Sequence, residues 1–305
     1  MPSGVALGLA TAASWGSADF FARFATRCVG TLRALLGMQA WGAVFLTLLL
    51  FFAHDWGHLF DGSGWQPWAW GALAGLLNTG AMFALYRAFE IGKMAVLAPI
   101  SASYPALTVI LSMASGEKLS LHRIAGILAA LAGVILVAAG EKPSERLAAR
   151  TNASLSPAHG SANQGASSAS GILWALAAAL GFGTLFWLLG LRIIPRTGAL
   201  ATVWLIRLTG AALTLCVVLA KKIPLRIASK RTRAQLYSMG FFDTAALALS
   251  NLGMSIEQVS ILSVLGSLYG AVTVALAAIF LRERIAALQW LGIVAIFLGV
   301  ALMNV

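Results

Sequence analysis

Apolar residues in this chain gather into ten windows, at about 3–22, 31–52, 66–87, 94–114, 121–139, 171–190, 198–220, 235–254, 259–281 and 286–304. Gly, Pro, Asn or charged clusters separate them, and Gly92 and Lys93 divide the third from the fourth. A helix crosses a hydrocarbon core of about 30 Å with about 20 mostly apolar residues, so each window has the length of one crossing. Soluble domains carry roughly 45–50% apolar and about 25% charged residues. Here 60% of 305 residues are hydrophobic and 10% are charged, which is more apolar surface than a soluble core can hide. Lipid is the expected main solvent. The expected fold is an all-α polytopic membrane protein with ten transmembrane helices. Met1-Pro2-Ser3 lacks a basic segment, so the first window is expected to be a mature helix rather than a cleaved signal.

The connection 141–170, rich in Ser, Ala, Gly and Asn, reads as a flexible linker and leaves five windows on either side. The two sides repeat one another. Residues 116–136 align with 282–302, setting Glu117 on Glu283, Gly126 on Gly292 and Gly133 on Gly299, and the same shift sets Ser101 on Ser267. Residues 3–16 align with 170–183, setting Trp15 on Phe182 and Gly16 on Gly183. Residues 75–86 align with 240–251, setting Asn78 on Asp243 and Tyr86 on Asn251. The expected organisation is a first five-helix repeat at 1–140 and a second at 171–305. Because five is odd, the second repeat enters the membrane from the opposite side. Inverted repeats around a central cavity mark alternating-access transporters, whose substrate site lies near the midplane.

Trp15-Gly16 late in the first window, Arg33 opening the second, the run 98–120 and the closing Gly-x6-Gly helix resemble the EamA-type members of the drug/metabolite transporter superfamily. The resemblance covers the chain except the linker. Its ten-span form is similar to bacterial exporters of amino acids and metabolites. It implies a basket of ten helices with a cavity lined by the first, third, fourth, sixth, eighth and ninth, while the fifth and tenth pack outside. It also implies termini inside the cell.

Polar residues within apolar spans are costly and read as inward-facing. Asn78, Met82 and Tyr86 form an i, i+4, i+8 stripe on the third helix, and Asp243, Leu247 and Asn251 form its counterpart on the eighth. Asn78 and Asp243 either line the cavity or tie helices together. Ser101, Tyr104 or Pro105, and Thr108 share a face of the fourth helix; Ser267 and Gly270 share one on the ninth, with Tyr269 beside it. Pro99 and Pro105 either kink their helix or free carbonyls for a ligand. Asp19 stands one turn after Trp15 and four residues before Arg23. It either pairs with Arg23 or faces the cavity, where it binds an ammonium or carries a proton. Trp15, Phe182, Phe186 and Trp187 offer apolar and cation–π surface.

The expected substrate-binding set is therefore Trp15, Asp19, Asn78, Met82, Tyr86, Ser101, Tyr104, Phe182, Trp187, Asp243, Asn251, Ser267 and Tyr269. Arg33 and Arg207 occupy like positions near the entrances of the second and seventh windows, where snorkelling or an ion pair is expected, although Arg207 is deep enough to attract a carboxylate. Glu117 and Glu283, beside Lys118 and Arg284, are expected to be structural. The four glycines paired by the repeat mark packing or dimerisation faces.

No nucleotide-binding, metal-ligating or nucleophilic pattern is present in the sequence. His54 and His58 with Asp55 and Asp61 read as a solvated loop, and Cys28 and Cys216 as free thiols. No catalytic residue, metal or other cofactor is expected. The expected partners are a small-molecule substrate and the lipid bilayer, with no nucleic acid, in a monomer or homodimer. The net charge of +11 reads as an orientation signal. Sixteen of the 21 Lys and Arg fall on one side of the membrane, four on the other, and Arg207 within a span. The positive-inside rule then places both termini outside the cytoplasm of a bacterial-type inner membrane. Function is expected to be gradient-driven export of amino acids, including aromatic and apolar ones, with proton-coupled extrusion of lipophilic cations as the alternative.

Overall fold

The computed structural model describes residues 3–91, 100–101, 103–139, 164–227, 229–269, 271–272, 276 and 287–303. Among them the chain is helical, and the longer elements in order are α1 (Ser3–Val29), α2 (Thr31–Ala53), α3 (Gln66–Ile91), α4 (Tyr104–Ala114), α5 (Leu121–Ala139), α6 (Gln164–Leu188), α7 (Ala199–Ala220), α8 (Lys230–Met254), α9 (Val259–Ser267) and α10 (Ala287–Met303). Among the described residues, four stretches are long and apolar enough to span a bilayer: Thr31–Ala53, Gln66–Ala88, Ser170–Thr197 and Ala199–Ala220.

Helix ends differ from the hydropathy windows where polar residues continue a helix beyond its apolar part. α1 runs on to Val29 and stops at Gly30, whose φ of 80° lies in the left-handed region that a side chain disfavours. Gly198, with φ 89°, does the same between α6 and α7. α8 begins at Lys230, where the Ser229 hydroxyl accepts the Thr232 N–H and caps the first turn. α6 begins at Gln164, inside the segment expected to be linker, because small Ala and Ser residues let the helix extend there. Near its other end α6 widens into a π-helical turn, Leu189–Ile193, before Ile194–Thr197. Pro195 brings no backbone N–H to that region, so the regular i→i−4 ladder cannot continue through it.

The helix contacts come in matched pairs. α1 packs on α8 as α6 packs on α3; α1 meets α9 as α6 meets α4; α2 meets α8 as α7 meets α3. Exchanging each helix for the one five places later maps each of these contacts onto its partner. α2–α7, α4–α9 and α5–α10 map onto themselves.

Glycines let the matched pairs approach closely. A Cβ at Gly16 would stand 2.6 Å from Val272 Cγ1 and 3.0 Å from the Tyr269 carbonyl oxygen; one at Gly183 would stand 2.8 Å from Leu107 Cβ and 2.9 Å from the Tyr104 carbonyl oxygen. α5 and α10 use the four glycines paired by the repeat. Gly133 faces the Gly292 carbonyl oxygen, and Gly299 faces that of Gly126, with each missing Cβ 2.6 Å from the oxygen. The outer surfaces of these two helices expose Leu128, Ile135, Leu291, Phe297 and Leu298, each by more than half. Such a surface is stable facing lipid, and α5 and α10 take the outside place that the resemblance implied.

At the end that holds Ser3, the halves are tied together. The Arg123 guanidinium Nη1 donates to Glu257 Oε1 at 3.2 Å and to Gln258 Oε1 at 2.6 Å, while Gln258 Nε2 donates to the Lys118 carbonyl at 2.8 Å. Glu117 Oε1 accepts the Ser260 backbone N–H in the first turn of α9, a structural role. The loop 54–65 folds over the same end, where His58 N–H donates to the Thr197 carbonyl at 3.2 Å. Within that loop the Ser63 hydroxyl and then His58 bond to the Asp61 carboxylate and hold its pKa down at about 2. No group of three or more potential metal ligands occurs among the described residues.

Candidate functional site

The bundle interior holds a buried polar centre beside an aromatic cluster. The polar centre joins α2, α3, α7 and α8. Arg207, 1% exposed, donates from Nη2 to Asp243 Oδ2 at 2.5 Å and from Nη1 to Gln39 Oε1 at 3.1 Å. Arg207 therefore lies mid-helix in α7, committed to an ion pair, rather than near the helix entrance. Two glycines make room for the centre. A Cβ at Gly42 would stand 2.2 Å from Thr244 Oγ1 and 3.0 Å from Arg207 Cδ; a Cβ at Gly210 would stand 2.5 Å from Gln39 Nε2 and 2.9 Å from Thr79 Oγ1.

This geometry sets the register between the repeats. Gln39-x2-Gly42 on α2 matches Arg207-x2-Gly210 on α7, and Asn78-Thr79 on α3 matches Asp243-Thr244 on α8. Gln39, Thr79 and Thr244 thus join the site although sequence reasoning passed over them. The Gln/Arg-x2-Gly spacing was the available signal. Several polar atoms here are buried without a hydrogen-bond partner among the described residues: Asn78 Nδ2, Gln39 Nε2, Thr79 Oγ1, Arg207 Nε and Thr244 Oγ1. Unsatisfied buried groups cost free energy, and the gathering of five of them here makes this centre the candidate site.

Asp19, on α1, is exposed. Its carboxylate is within electrostatic reach of Asp243, and Tyr86 is within reach of both acids and of Arg207. Tyr269 is within reach of Asp19. The Arg23 side chain, the alternative partner for Asp19, lies outside the described residues. Met82 and Tyr86 pack against the cluster of Leu35, Met38, Leu236 and Met239 beside the polar centre.

The aromatic cluster continues from Tyr269. Trp15 packs edge-on against Tyr269 at 6.4 Å and Phe186 at 5.7 Å between centroids; Tyr104 stacks on Phe186 at 5.2 Å and meets Phe182 at 6.1 Å. Tyr104 Oη donates to the Ser263 carbonyl at 3.2 Å, which fixes the ring between α4 and α9. The repeat alignment left Tyr269 unmatched, but the carbonyls of Tyr104 and Tyr269 abut the equivalent glycines Gly183 and Gly16, so the two tyrosines occupy like places.

Trp15, Asp19, Tyr86, Tyr104, Phe182, Asp243 and Tyr269 are thus brought into one interior region, with Asn78 and Met82 on the adjoining turns of α3. Other expected members lie differently. Ser101 is 2% exposed at the start of the fourth span. The Ser267 hydroxyl is buried and donates to the Val264 carbonyl on its own helix. Asn251 Nδ2 donates to the Ala199 carbonyl at 3.1 Å and joins α8 to the start of α7. Trp187 Nε1 donates to Ser115 Oγ at 2.9 Å. It lines a separate cavity of about 330 Å³ at the Ser3 end, with Glu117, Glu257 and Gln258.

Two mutually matched helical halves, lipid-facing apolar surfaces and a polar centre buried between them define a polytopic membrane transporter. The sequence profile of the EamA-like transporter family matches residues 2–139 and again 169–305. The chain belongs to that family, within the drug/metabolite transporter superfamily, and carries its repeat twice. No curated protein sequence matches the chain significantly. A protein of known crystal structure superposes with a TM-score of 0.76 at 19% identity, over 98% of this chain and 96% of its own. At that identity the likeness shows the shared fold alone.

Proposed function

We propose that this transporter exports small zwitterionic metabolites, amino acids with aromatic or apolar side chains foremost, by alternating access without ATP hydrolysis. The observation that carries the reading is the adjacency, inside the bundle, of Asp19, the Arg207–Asp243 pair and the Trp15–Tyr104–Phe186–Tyr269 cluster. The Asp19 carboxylate attracts the substrate ammonium, the Arg207 guanidinium takes the substrate carboxylate in exchange for Asp243, and the rings accept the side chain. The substrate-binding residues are Trp15, Asp19, Asn78, Met82, Tyr86, Tyr104, Phe182, Asp243 and Tyr269, with Ser101, Trp187, Asn251 and Ser267 engaged at other stages of the cycle. The two five-helix halves are inverted and rock about the polar centre, alternately opening the two ends. The basic end faces the cytoplasm of an inner membrane, so both termini lie outside.

The test is counterflow in proteoliposomes against a panel of amino acids, polyamines and quaternary amines. Uptake of labelled aromatic or apolar amino acid into amino-acid-loaded vesicles supports the proposal; exchange confined to quaternary amines overturns it. Asp19 favours the second reading, proton-coupled extrusion of lipophilic cations, because an accessible acid next to aromatic rings suits a cation equally well. A flux of quaternary amines that is insensitive to pH would exclude that version.

A further inference from the structure

A cavity of about 480 Å³ lies away from the candidate transport site, at the opposite end of the bundle from Ser3. Val29, Gly30, Leu32 and Arg33 from the α1–α2 corner, Phe83 and Arg87 from α3, and Lys221 and Ile223 after α7 line it. Among the described residues that line it, three are cationic and none is acidic. Arg33 Nε is buried without a hydrogen-bond partner among the described residues. The cavity also receives the start of α2, whose Ncap residue Gly30 has no side chain to satisfy the first N–H groups. A helix N-terminus favours an anion.

The apolar walls show where that anion is attached. Leu73, Leu76, Gly80, Phe83 and Arg87 form one exposed stripe along α3, apolar until Arg87. A Cβ at Gly80 would meet nothing within 4 Å, so the stripe has a shallow open groove at its middle. Phe83 is 39% exposed, and its ring packs edge-on against Trp174, which is 36% exposed. On neighbouring α7, Leu208, Leu215 and Leu219 are exposed too. An apolar track on the lipid-facing surface thus leads to a pocket of cations at the helix ends, the level at which a bilayer carries its phosphates.

We propose that this cavity binds the phosphate of an anionic lipid headgroup, held by Arg33, Lys221 and the α2 N-terminus, with an acyl chain laid along the α3 stripe. The site pins a lipid between α2, α3 and α7, and it does not depend on what the central site carries.

The full-length protein in detergent is titrated with dioleoylphosphatidylglycerol, dioleoylphosphatidylcholine, glycerol 3-phosphate and inorganic phosphate, and read by native mass spectrometry and thermal unfolding. Phosphatidylglycerol is expected to bind at least about tenfold more tightly than phosphatidylcholine, the scale of one hydrogen bond to a charged group. R33Q and K221Q should each remove most of that preference, while R33K keeps part of it. The exposed Lys221 keeps the test independent of any folding defect at Arg33. Equal binding of the two lipids, or an unchanged preference in K221Q and a folded R33Q, overturns the proposal. Glycerol 3-phosphate or inorganic phosphate binding as tightly as phosphatidylglycerol overturns the lipid assignment in favour of a free phosphate.

Discussion

The two halves of the polar centre share a backbone plan and differ in charge. In the first, Gln39, Gly42, Asn78 and Thr79 are neutral; in the second, Arg207, Gly210, Asp243 and Thr244 occupy the matching places with an ion pair. The glycines and threonines, which set how closely the helices approach, are the same in both halves. Only the residues able to recognise charge differ. On the proposed function, a scaffold of two matched halves rocks symmetrically while presenting opposite charges to the two ends of one solute.

The largest expected effect comes from removing that difference one residue at a time. Asp243→Asn leaves Arg207 buried without its counter-charge, which costs about 3–5 kcal/mol in comparable sites. A marked fall in unfolding temperature and in yield is expected. The double variant R207Q/D243N gives the second half the same Gln–Asn composition as the first. It should recover most of the lost stability, because no uncompensated charge remains, and yet lose exchange of zwitterionic substrates. Thermal unfolding and counterflow measured on the same preparations separate the two effects. Full transport by the stable double variant would remove the ion pair from the substrate site.

A smaller effect tests whether the halves are mechanically alike. Gly42→Ala drives a methyl into Thr244 Oγ1 and towards Arg207 Cδ, whereas Gly210→Ala meets the tip of the Gln39 side chain and Thr79 Oγ1. Overpacking costs about 1–3 kcal/mol. Gly42→Ala should lie at the upper end, since Arg207 is anchored by Asp243 and cannot move aside, while the Gln39 amide swings away more cheaply. Equal losses in unfolding temperature would show that the ion pair adds no rigidity to its half.

The sequence conveyed the parts of this design that lipid and close packing dictate. Windows of about 20 apolar residues are legible because a spanning helix has a fixed length. The four glycines of α5 and α10 were legible because a face without side chains is required wherever two backbones nearly touch. Helix ends were not, as α1 and α8 show, because polar residues beyond the hydrocarbon region extend a helix without changing hydropathy. The partner of Asp243 was also hidden. Arg207 reads like Arg33 when the comparison rests on charge; the Gly42–Gly210 match, which depends on contact across the bundle, aligns it with Gln39 instead. Tyr269 likewise takes its place from the carbonyl against Gly16, not from the register of the neighbouring alignment.

The same contrast recurs at the Ser3 end, where its expected effect is smallest. Arg123, which links the first half to Glu257 and Gln258, corresponds in the repeat to Gln289. Its ion pair is partly exposed, with side chains 30% and 13% accessible, and such pairs contribute about 1 kcal/mol or less. Arg123→Gln gives this position the residue of the other half and should barely change the unfolding temperature. If the halves rock, it should instead favour the state open at this end by roughly two- to fivefold. The readout is alkylation of a cysteine at Ser115, which bonds to Trp187 in the 330 Å³ cavity at that end. The exposed Cys28 and Cys216 are first replaced by serine and alanine. A two- to fivefold faster alkylation in the Arg123→Gln background identifies the pair as part of the closure; an unchanged rate places the closing force in Glu117 and the α9 N-terminus instead.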